Sequence, residues 1–166
     1  MLNQVMEKAL NTQINLEFSS AYLYLAMSAY FENEDLAGFA SWMKHQAKEE
    51  TEHAMKLFDY VHSRGGRVVL QAIPQPATDF ESPLSVFRQA YDHECMVSRS
   101  IHDLYDLAVK EKDHATQVHL HWFIEEQVEE EATAQAIVAK LEMAGKHQGP
   151  MFMLDRAMAE RGITGH

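Results

Sequence analysis

Four long segments of this 166-residue chain carry apolar residues at alternating steps of three and four, and this period is the strongest constraint on its fold. Such spacing places the apolar side chains along one face of an α-helix. The composition agrees, because 46% of the residues are apolar and only seven are Gly and four are Pro, which suits long helices better than a turn-rich β fold. We therefore predict an all-α protein.

The four segments and a shorter one near the C-terminus predict helices over about 4–32, 35–64, 83–110, 113–144 and 150–160. Asp35 is expected to cap the second helix. Ser82 followed by Pro83 is a typical start for the third helix, because proline is favoured at the first helical position. We treat residues 1–166 as a single domain, since this length is ordinary for one domain.

A long connection, about residues 66–81, separates two pairs of helices. The helices within each pair are joined by only a few residues, so each pair is an antiparallel hairpin. The connection contains Pro74 and Pro76 and has no helical period. Extended, its roughly sixteen residues reach about 50 Å, which matches the ~45 Å length of a thirty-residue helix. We expect it to cross the whole bundle and join two parallel helices, in the order up, down, crossover, up, down.

The formal net charge of −11 opposes nonspecific binding to nucleic acid or to an anionic membrane surface and favours metal cations. The single cysteine, Cys95, cannot form an internal disulfide, and the first residues lack a basic stretch followed by an apolar one. No apolar run approaches the roughly 20 residues needed to cross a bilayer. We expect a cytoplasmic protein with no nucleic-acid partner and no membrane segment.

Each apolar seam is interrupted by side chains that can bind metal, at positions where a core residue is expected. The carboxylates and the imidazole, in helices one to four, are Glu17, Glu50, His53, Glu94 and Glu130, and the polar Gln127 lies on the seam of helix four. No Lys or Arg lies on the seams, and a buried unpaired carboxylate costs several kcal/mol at least. A bound metal is the simplest neutraliser, and carboxylates with one imidazole suit iron or manganese. Two ions balance the charge best, and Glu50 and His53, three residues apart, share one helical face.

In this order and register, the motifs resemble the ferritin superfamily, and specifically the haem-free bacterial ferritins. The resemblance covers nearly the whole chain and includes the crossover, the short last helix, Tyr24, Trp122 and the His93–Glu94 pair. It implies a ferritin-like four-helix bundle with a di-iron centre. The first iron would be held by Glu17, Glu50 and His53, and the second by Glu50, Glu94 and Glu130, with Glu50 as the bridge.

The same resemblance implies roles for residues around the two irons. Gln127 would supply a hydrogen bond, and Tyr24 would lie beside the metals. A third iron would bind toward the cavity, at Glu49, Glu126, Glu129 and Glu130. Glu49 and Glu50 are successive and therefore about 100° apart around the helix, so one can face the di-iron centre while the other faces the cavity.

The function implied is ferroxidase activity followed by storage. Ferrous iron would reach each centre through acidic channels, dioxygen would oxidise it, and hydrated ferric oxide would collect inside a shell of twenty-four copies. The fourth helix has Gln127 and Glu130 in place of a second Glu-x-x-His motif, which disfavours a bacterioferritin. Glu52 stands where that relative has its haem-ligating methionine, so no haem is expected. The short last helix disfavours the DNA-protecting mini-ferritins.

Two other functions remain open from the sequence. A di-iron oxygenase or peroxidase would need a cavity for an organic substrate and usually the second histidine that this chain lacks. A non-catalytic helical scaffold would keep its inward acids protonated or solvated. Iron addition under air separates the scaffold from the ferritin, because a scaffold gives no ferric absorbance and no oxygen uptake.

Overall fold

The computed structural model of the chain describes residues 1–162 and is built almost entirely from α-helices. Their bounds, with a final 3-10 turn, are α1 Gln4–Asn33, α2 Ala37–Ser63, α3 Pro83–Lys110, α4 His114–Ala144, α5 Gln148–Met158 and the turn Ala159–Gly162. The described residues contain no β-strand, and none of their helices is long and apolar enough to span a membrane. The predicted all-α bundle with a long crossover and a short fifth helix is confirmed.

The helix starts agree with the prediction at α3 and differ at α2 and α5. The Ser82 hydroxyl accepts a hydrogen bond from the Ser85 backbone N–H at 3.1 Å, and Pro83 opens the helix, as predicted. The prediction that Asp35 caps α2 was wrong. Asp35 has a φ of 57° and belongs to the turn after α1, since Asp tolerates this left-handed conformation. Helix α5 begins two residues before Pro150, whose missing N–H is harmless in the first turn.

Two apolar clusters show the direction of each helix. One contains Met6 and Leu10 from the start of α1, Leu57 from the end of α2, Ile101 from the second half of α3 and Leu120 from the start of α4. The opposite halves of all four helices form the other cluster. Helices α2 and α3 are therefore parallel, and the order is up, down, crossover, down, up. Our predicted final pair of directions was wrong, because a crossover spanning the bundle returns the chain to the end where α2 began.

The crossover is attached to α1 through one buried side chain. The Asn11 amide donates to the backbone carbonyls of Glu7 and Arg67, both at 2.9 Å, and its oxygen accepts from the Val69 N–H at 2.6 Å. Because the amide is fully used, the extended segment has defined polar partners where it leaves α2.

Helix α5 supplies the N-terminal cap that α2 lacks. The residue before α2, Leu36, has no side-chain cap, but the Asp155 carboxylate accepts a hydrogen bond from the Phe39 N–H at 2.9 Å. A carboxylate at a helix N-terminus is also favoured by the helix dipole. The approach is close because residue 38 is glycine: a Cβ there would lie 1.7 Å from the Asp155 backbone oxygen. The C-terminal segment therefore packs along α2.

We predict that Gly38→Ala displaces α5 from α2 and lowers stability by about 1–3 kcal/mol, because overpacking at a backbone contact forces a shift. The measurement is the apparent melting temperature together with the rate of protease cleavage after Ala144. Gly149→Ala is the matched control, since a Cβ at Gly149 meets nothing within 4 Å. Equal stability of the two variants would contradict this account of α5 docking.

Candidate metal centre

A layer of buried polar side chains lies between the two apolar clusters, in the middle of the bundle. It contains all six side chains that interrupt the predicted seams, and none is more than 6% exposed: Glu17, Glu50, His53, Glu94, Gln127 and Glu130. On α1, for example, Ile14 belongs to one cluster, Tyr24 belongs to the other, and Glu17 lies between them. Four carboxyl groups are thus held where water does not reach.

Glu17, Glu50 and His53 form a group of candidate ligands in which all three side chains are buried. One ligand atom from each residue lies within 4.8 Å of the other two. The His53 Nδ1 is 3.5 Å from a Glu50 carboxylate oxygen. The Oε2 atom of Glu17 is buried and has no hydrogen-bond partner. An unpartnered buried carboxylate oxygen costs free energy, so this atom fits the role of a metal ligand.

His53 also belongs to a second group, with Glu126 and Glu130. Its Nε2 lies 4.0 Å from a Glu126 carboxylate oxygen, on the side opposite the Nδ1 contact with Glu50. A neutral imidazole has one free lone pair, so only one ring nitrogen can bind a metal while the other donates its hydrogen. The two groups therefore share one histidine that can serve one of them at a time.

Glu94 lies in neither group, because two donors hold its carboxylate. The Tyr24 hydroxyl donates to one oxygen, and the Gln127 amide donates to the other at 3.1 Å. Gln127 also contacts the Glu94 carbonyl and the Ser98 hydroxyl, both at 3.3 Å. The hydrogen bond expected from Gln127 is thus present, and Tyr24 lies beside the buried carboxylates. His93 approaches the Tyr24 ring edge-on, with 6.0 Å between ring centroids.

Two glutamines orient the remaining carboxylates, and we did not predict a role for either. Gln46 donates one amide nitrogen to both Glu50, at 3.0 Å, and Glu130, at 2.9 Å. Gln13 donates to Glu17 at 2.8 Å. Each glutamine lies four residues before the Glu it contacts on the same helix. This Gln-x-x-x-Glu spacing, repeated on α1 and α2, was the signal in the sequence.

Burial raises the pKa values of all four buried carboxyl groups, and repulsion between these groups adds to the rise for Glu17, Glu50 and Glu130. For Glu17 the larger cause is burial, followed by the charge of Glu50. For Glu50 it is burial, followed by the charges of Glu94 and Glu130. Burial also raises the pKa of Glu94, and Tyr24 and Gln127 oppose the shift. Burial, and to a smaller extent the charge of Glu94, raise the pKa of Glu130 to about 7.

These shifts describe a site that binds protons when no other cation is available. Among the described residues, no Lys or Arg side chain lies within ion-pair distance of the four buried carboxylates. A divalent ion can replace the protons, and its affinity then rises with pH because the ligands must be deprotonated. The donors are carboxylate oxygens and one imidazole, which suit iron and manganese rather than a thiolate-preferring metal.

The structure does not gather the residues expected at a third position into one group. Glu126 faces His53, and Glu129 is exposed on α4. Glu49 pairs instead with Arg161 in the final 3-10 turn, at 2.6 Å. Burial is the largest influence on the pKa of Glu126 and raises it. The nearby His53 lowers this pKa, while the charges of Glu129 and Glu49 raise it, and the net shift is upward. The three outer carboxylates are therefore close enough to interact electrostatically, and Arg161 is a contact that we did not predict.

The sequence matches the ferritin family, described as a ferritin-like domain, over residues 7–144. A "Bacterial non-heme ferritin" of Bacteroides fragilis (strain 638R) is 44% identical over 161 residues, which cover 97% of this chain and all of that protein. A protein of the same name from Staphylococcus saprophyticus is 39% identical over 163 residues, 98% of each chain. The chain belongs to the ferritin family.

Solved structures lead to the same family. An open-pore ferritin from the hyperthermophilic archaeon Archaeoglobus fulgidus superposes with a TM-score of 0.96 at 46% identity, covering 97% of this chain and 99% of that chain. A form of the same ferritin engineered to be closed gives the same TM-score and identity. Family membership and the buried carboxylate–histidine group together support iron storage with oxidation of ferrous iron.

The raised pKa of Glu130 predicts a specific pH dependence of the metal-free protein. Its folded-state pKa of about 7 lies above the ordinary value of 4.5, so the folded chain binds more protons than the unfolded chain. The stabilising contribution of Glu130 is complete below pH 4.5 and is lost as the pH rises toward 7. Glu130→Gln should reduce the loss of stability between pH 5 and pH 7.5 by about 1–3 kcal/mol.

The check is thermal unfolding of metal-free protein across this pH range. Burial lowers the pKa of His93 and of His119 to about 4, so these residues act in the opposite direction, but every variant retains them. Glu129→Gln, one position away and exposed, is the control for removing a charge from α4. A pH profile of Glu130→Gln that overlays that of Glu129→Gln would refute the assignment.

Proposed function

We propose that this chain is a ferroxidase subunit of an iron-storage shell, in which the buried layer between the apolar clusters binds two ferrous ions and oxidises them with dioxygen. The observation that carries the proposal is the Glu17–Glu50–His53 group, because it combines close donors with an unpartnered buried carboxylate oxygen. Iron is the substrate of this site and then the stored product.

The first ion is assigned to Glu17, Glu50 and His53. Within this group His53 would bind through Nδ1, the nitrogen that faces Glu50. The second ion is assigned to Glu50, Glu94 and Glu130. The support is that one Gln46 amide already spans Glu50 and Glu130, so their carboxylates are close enough to share a cation in its place.

Paired binding matters for the chemistry because one ferrous ion supplies one electron. Two ions held together by Glu50 supply two electrons to a single dioxygen molecule. Hard carboxylate oxygens favour the ferric product over the ferrous substrate. Protons leave the raised-pKa carboxyl groups when iron binds and again when ferric ion is hydrolysed to hydrated oxide. Tyr24 keeps the Glu94 carboxylate oriented throughout these steps. Burial and, to a smaller extent, the charge of Glu94 raise the pKa of the Tyr24 hydroxyl well above 10, so the hydroxyl remains a neutral donor.

Glu49, Glu126 and Glu129 are assigned to a third iron position on the way to the cavity, shared with Glu130. The support is electrostatic, because Glu49 and Glu129 both raise the pKa of Glu126. Iron leaving the di-iron centre would find these carboxylates next. No haem is part of the proposal, since the haem-ligand position is occupied by Glu52.

The shell is proposed to contain twenty-four copies in the cytoplasm. One subunit leaves large apolar side chains exposed on several faces, including Tyr22, Leu25, Val128 and Phe152. Apolar surface of this kind commonly marks contacts between subunits. The assembly is tested by native mass spectrometry, which should give twenty-four times the subunit mass. A free monomer or a dimer would refute the shell.

The decisive experiment is to load crystals with Fe(II) without oxygen and to record anomalous scattering at the iron edge. Two peaks are expected between the helices, one beside Glu17 and His53 and one between Glu94 and Glu130. Peaks restricted to the outer surface would leave the buried layer without its ligand, and the scaffold alternative would then account for the chain.

We predict that His53→Ala removes fast iron oxidation, with the initial rate falling at least a hundredfold, because it deletes the imidazole of the first ion. The measurement is stopped-flow absorbance of ferric product at two Fe(II) per subunit, with oxygen uptake recorded in parallel. Glu52→Ala, which removes an exposed neighbour on the same helix, should react at the wild-type rate. A wild-type rate in His53→Ala would overturn the site.

Glu126→Ala should affect a later stage. The first two ions do not use this carboxylate, so the initial burst is expected to persist, while the iron-to-oxygen ratio and the rate of further turnover change. The ratio is measured with an oxygen electrode over successive additions of iron. Loss of the burst to the extent seen in His53→Ala would instead place Glu126 in the first ligand set, as its 4.0 Å distance from His53 Nε2 permits.

A further inference from the structure

Arg161 is the cationic side chain that forms an ion pair with Glu49 on the acidic face outside the buried layer. It lies in the 3-10 turn after α5 and approaches α2 from outside. One of its terminal nitrogens donates to the Glu49 carboxylate at 2.6 Å, and the other donates to the Gln46 carbonyl oxygen at 2.9 Å. A guanidinium can bind two acceptors at once because its donors form a fixed planar fork.

A third contact holds the side chain. The guanidinium carbon lies 4.2 Å from the centroid of the Trp42 ring, in the geometry of a cation–π interaction. The side chains of Arg161 and Glu49 are 24% and 32% exposed, so water screens the ion pair only partly. Docking of α5, through the Asp155 cap on α2, brings the turn to this place. The position of Arg161 is therefore a consequence of the fold.

We propose that Arg161 is a built-in competing cation at the third iron position. This inference rests on the proposed function, since Glu49 must be an iron ligand for the competition to matter. The guanidinium holds one of the two Glu49 carboxylate oxygens, Oε2, so a metal meets only the other oxygen and a neutralised charge. The third ion gains the full charge and both oxygens of Glu49 only when Arg161 leaves.

The consequence is an order of filling. No Lys or Arg of the described residues lies within ion-pair distance of the inner ligands Glu17, Glu50, Glu94 and Glu130, and Arg161 reaches Glu50 and Glu130 only through the Gln46 amide. The third ion competes directly with Arg161 for Glu49, which weakens its binding relative to the inner pair. Arg161 thus keeps Glu49 occupied until the inner pair is filled, and it is a positioning residue rather than a ligand.

The test uses Zn(II) on the assembled, metal-free protein, because zinc is redox-inert and binding is then read without catalysis. Calorimetric titration counts the ions per subunit, and anomalous scattering at the zinc edge locates them. Arg161→Gln should bind the third ion about two- to fivefold more tightly than wild type, the range expected for a partly exposed ion pair. The first two ions should change in affinity by less than the third, because Arg161 reaches their ligands only through the Gln46 amide.

Arg156→Gln is the matched control, because Arg156 carries the same charge on α5 and is exposed. It should leave the third affinity unchanged. If both variants bind the third ion equally more tightly, the effect is one of net charge and the proposal is overturned. It is also overturned if Arg161→Gln leaves the affinity for the third ion unchanged, or if no third ion binds. Absence of the two inner ions would be a different result, since it contradicts the di-iron centre itself.

Fluorescence gives a second readout that a general loss of stability does not imitate. The chain has two tryptophans, and Trp122→Phe leaves Trp42 as the only emitter. In this background the third zinc ion should change Trp42 emission as the guanidinium moves off the ring, whereas the first two should not. The change should vanish in Arg161→Gln and persist in Arg156→Gln. A titration in which Trp42 emission stays constant through the third ion would also overturn the proposal.

Discussion

The burial of four carboxyl groups between two apolar clusters is the constraint on which the rest of this structure depends. Such groups are tolerated in a bundle only if protons or other cations accompany them. Without a metal the raised pKa values favour protons in this role, and Gln13, Gln46, Gln127 and Tyr24 are neutral donors to the carboxyl groups. Neutral amides orient carboxylates without supplying charge, so a metal ion can still enter. A lysine in any of these places would have paired with the carboxylates and opposed the binding of a metal ion.

The apolar clusters on either side give the layer its rigidity. Aromatic side chains dominate one of them, where Phe31 and Phe39 stack with 5.1 Å between ring centroids. Each carboxylate lies on a long helix whose two ends are packed in these clusters. The cost of repulsion inside the layer is offset by the burial of apolar surface above and below it. Stability and reactivity are therefore assigned to different layers of the same bundle.

Regular features of this fold were predictable because they follow from local physics. Helical period, the Ser82–Pro83 start and the inward glutamates are properties of neighbouring residues, and the structure places all of them as expected. The parallel course of α2 and α3 was also predicted, from the length of the crossover, but the order of directions that we drew from it was wrong. Contacts between distant residues were inaccessible: Asp155 lies 116 residues from Phe39, and Arg161 lies 112 residues from Glu49. The spacing of apolar residues along the sequence carries no information about such distant contacts.

The capping of α2 by Asp155 has a bearing on how the chain matures. Residues 4–144 contain all four long helices and every proposed ligand of the buried pair, and they leave the ribosome before α5 does. During that interval the first turn of α2 lacks the carboxylate partner of the Phe39 N–H. Helix α5, synthesised after the other four, therefore completes the second helix of the bundle, and it delivers Arg161 to Glu49 in the same event. The outer acidic face thus acquires its guanidinium only after the four helices that carry the carboxylates have been made.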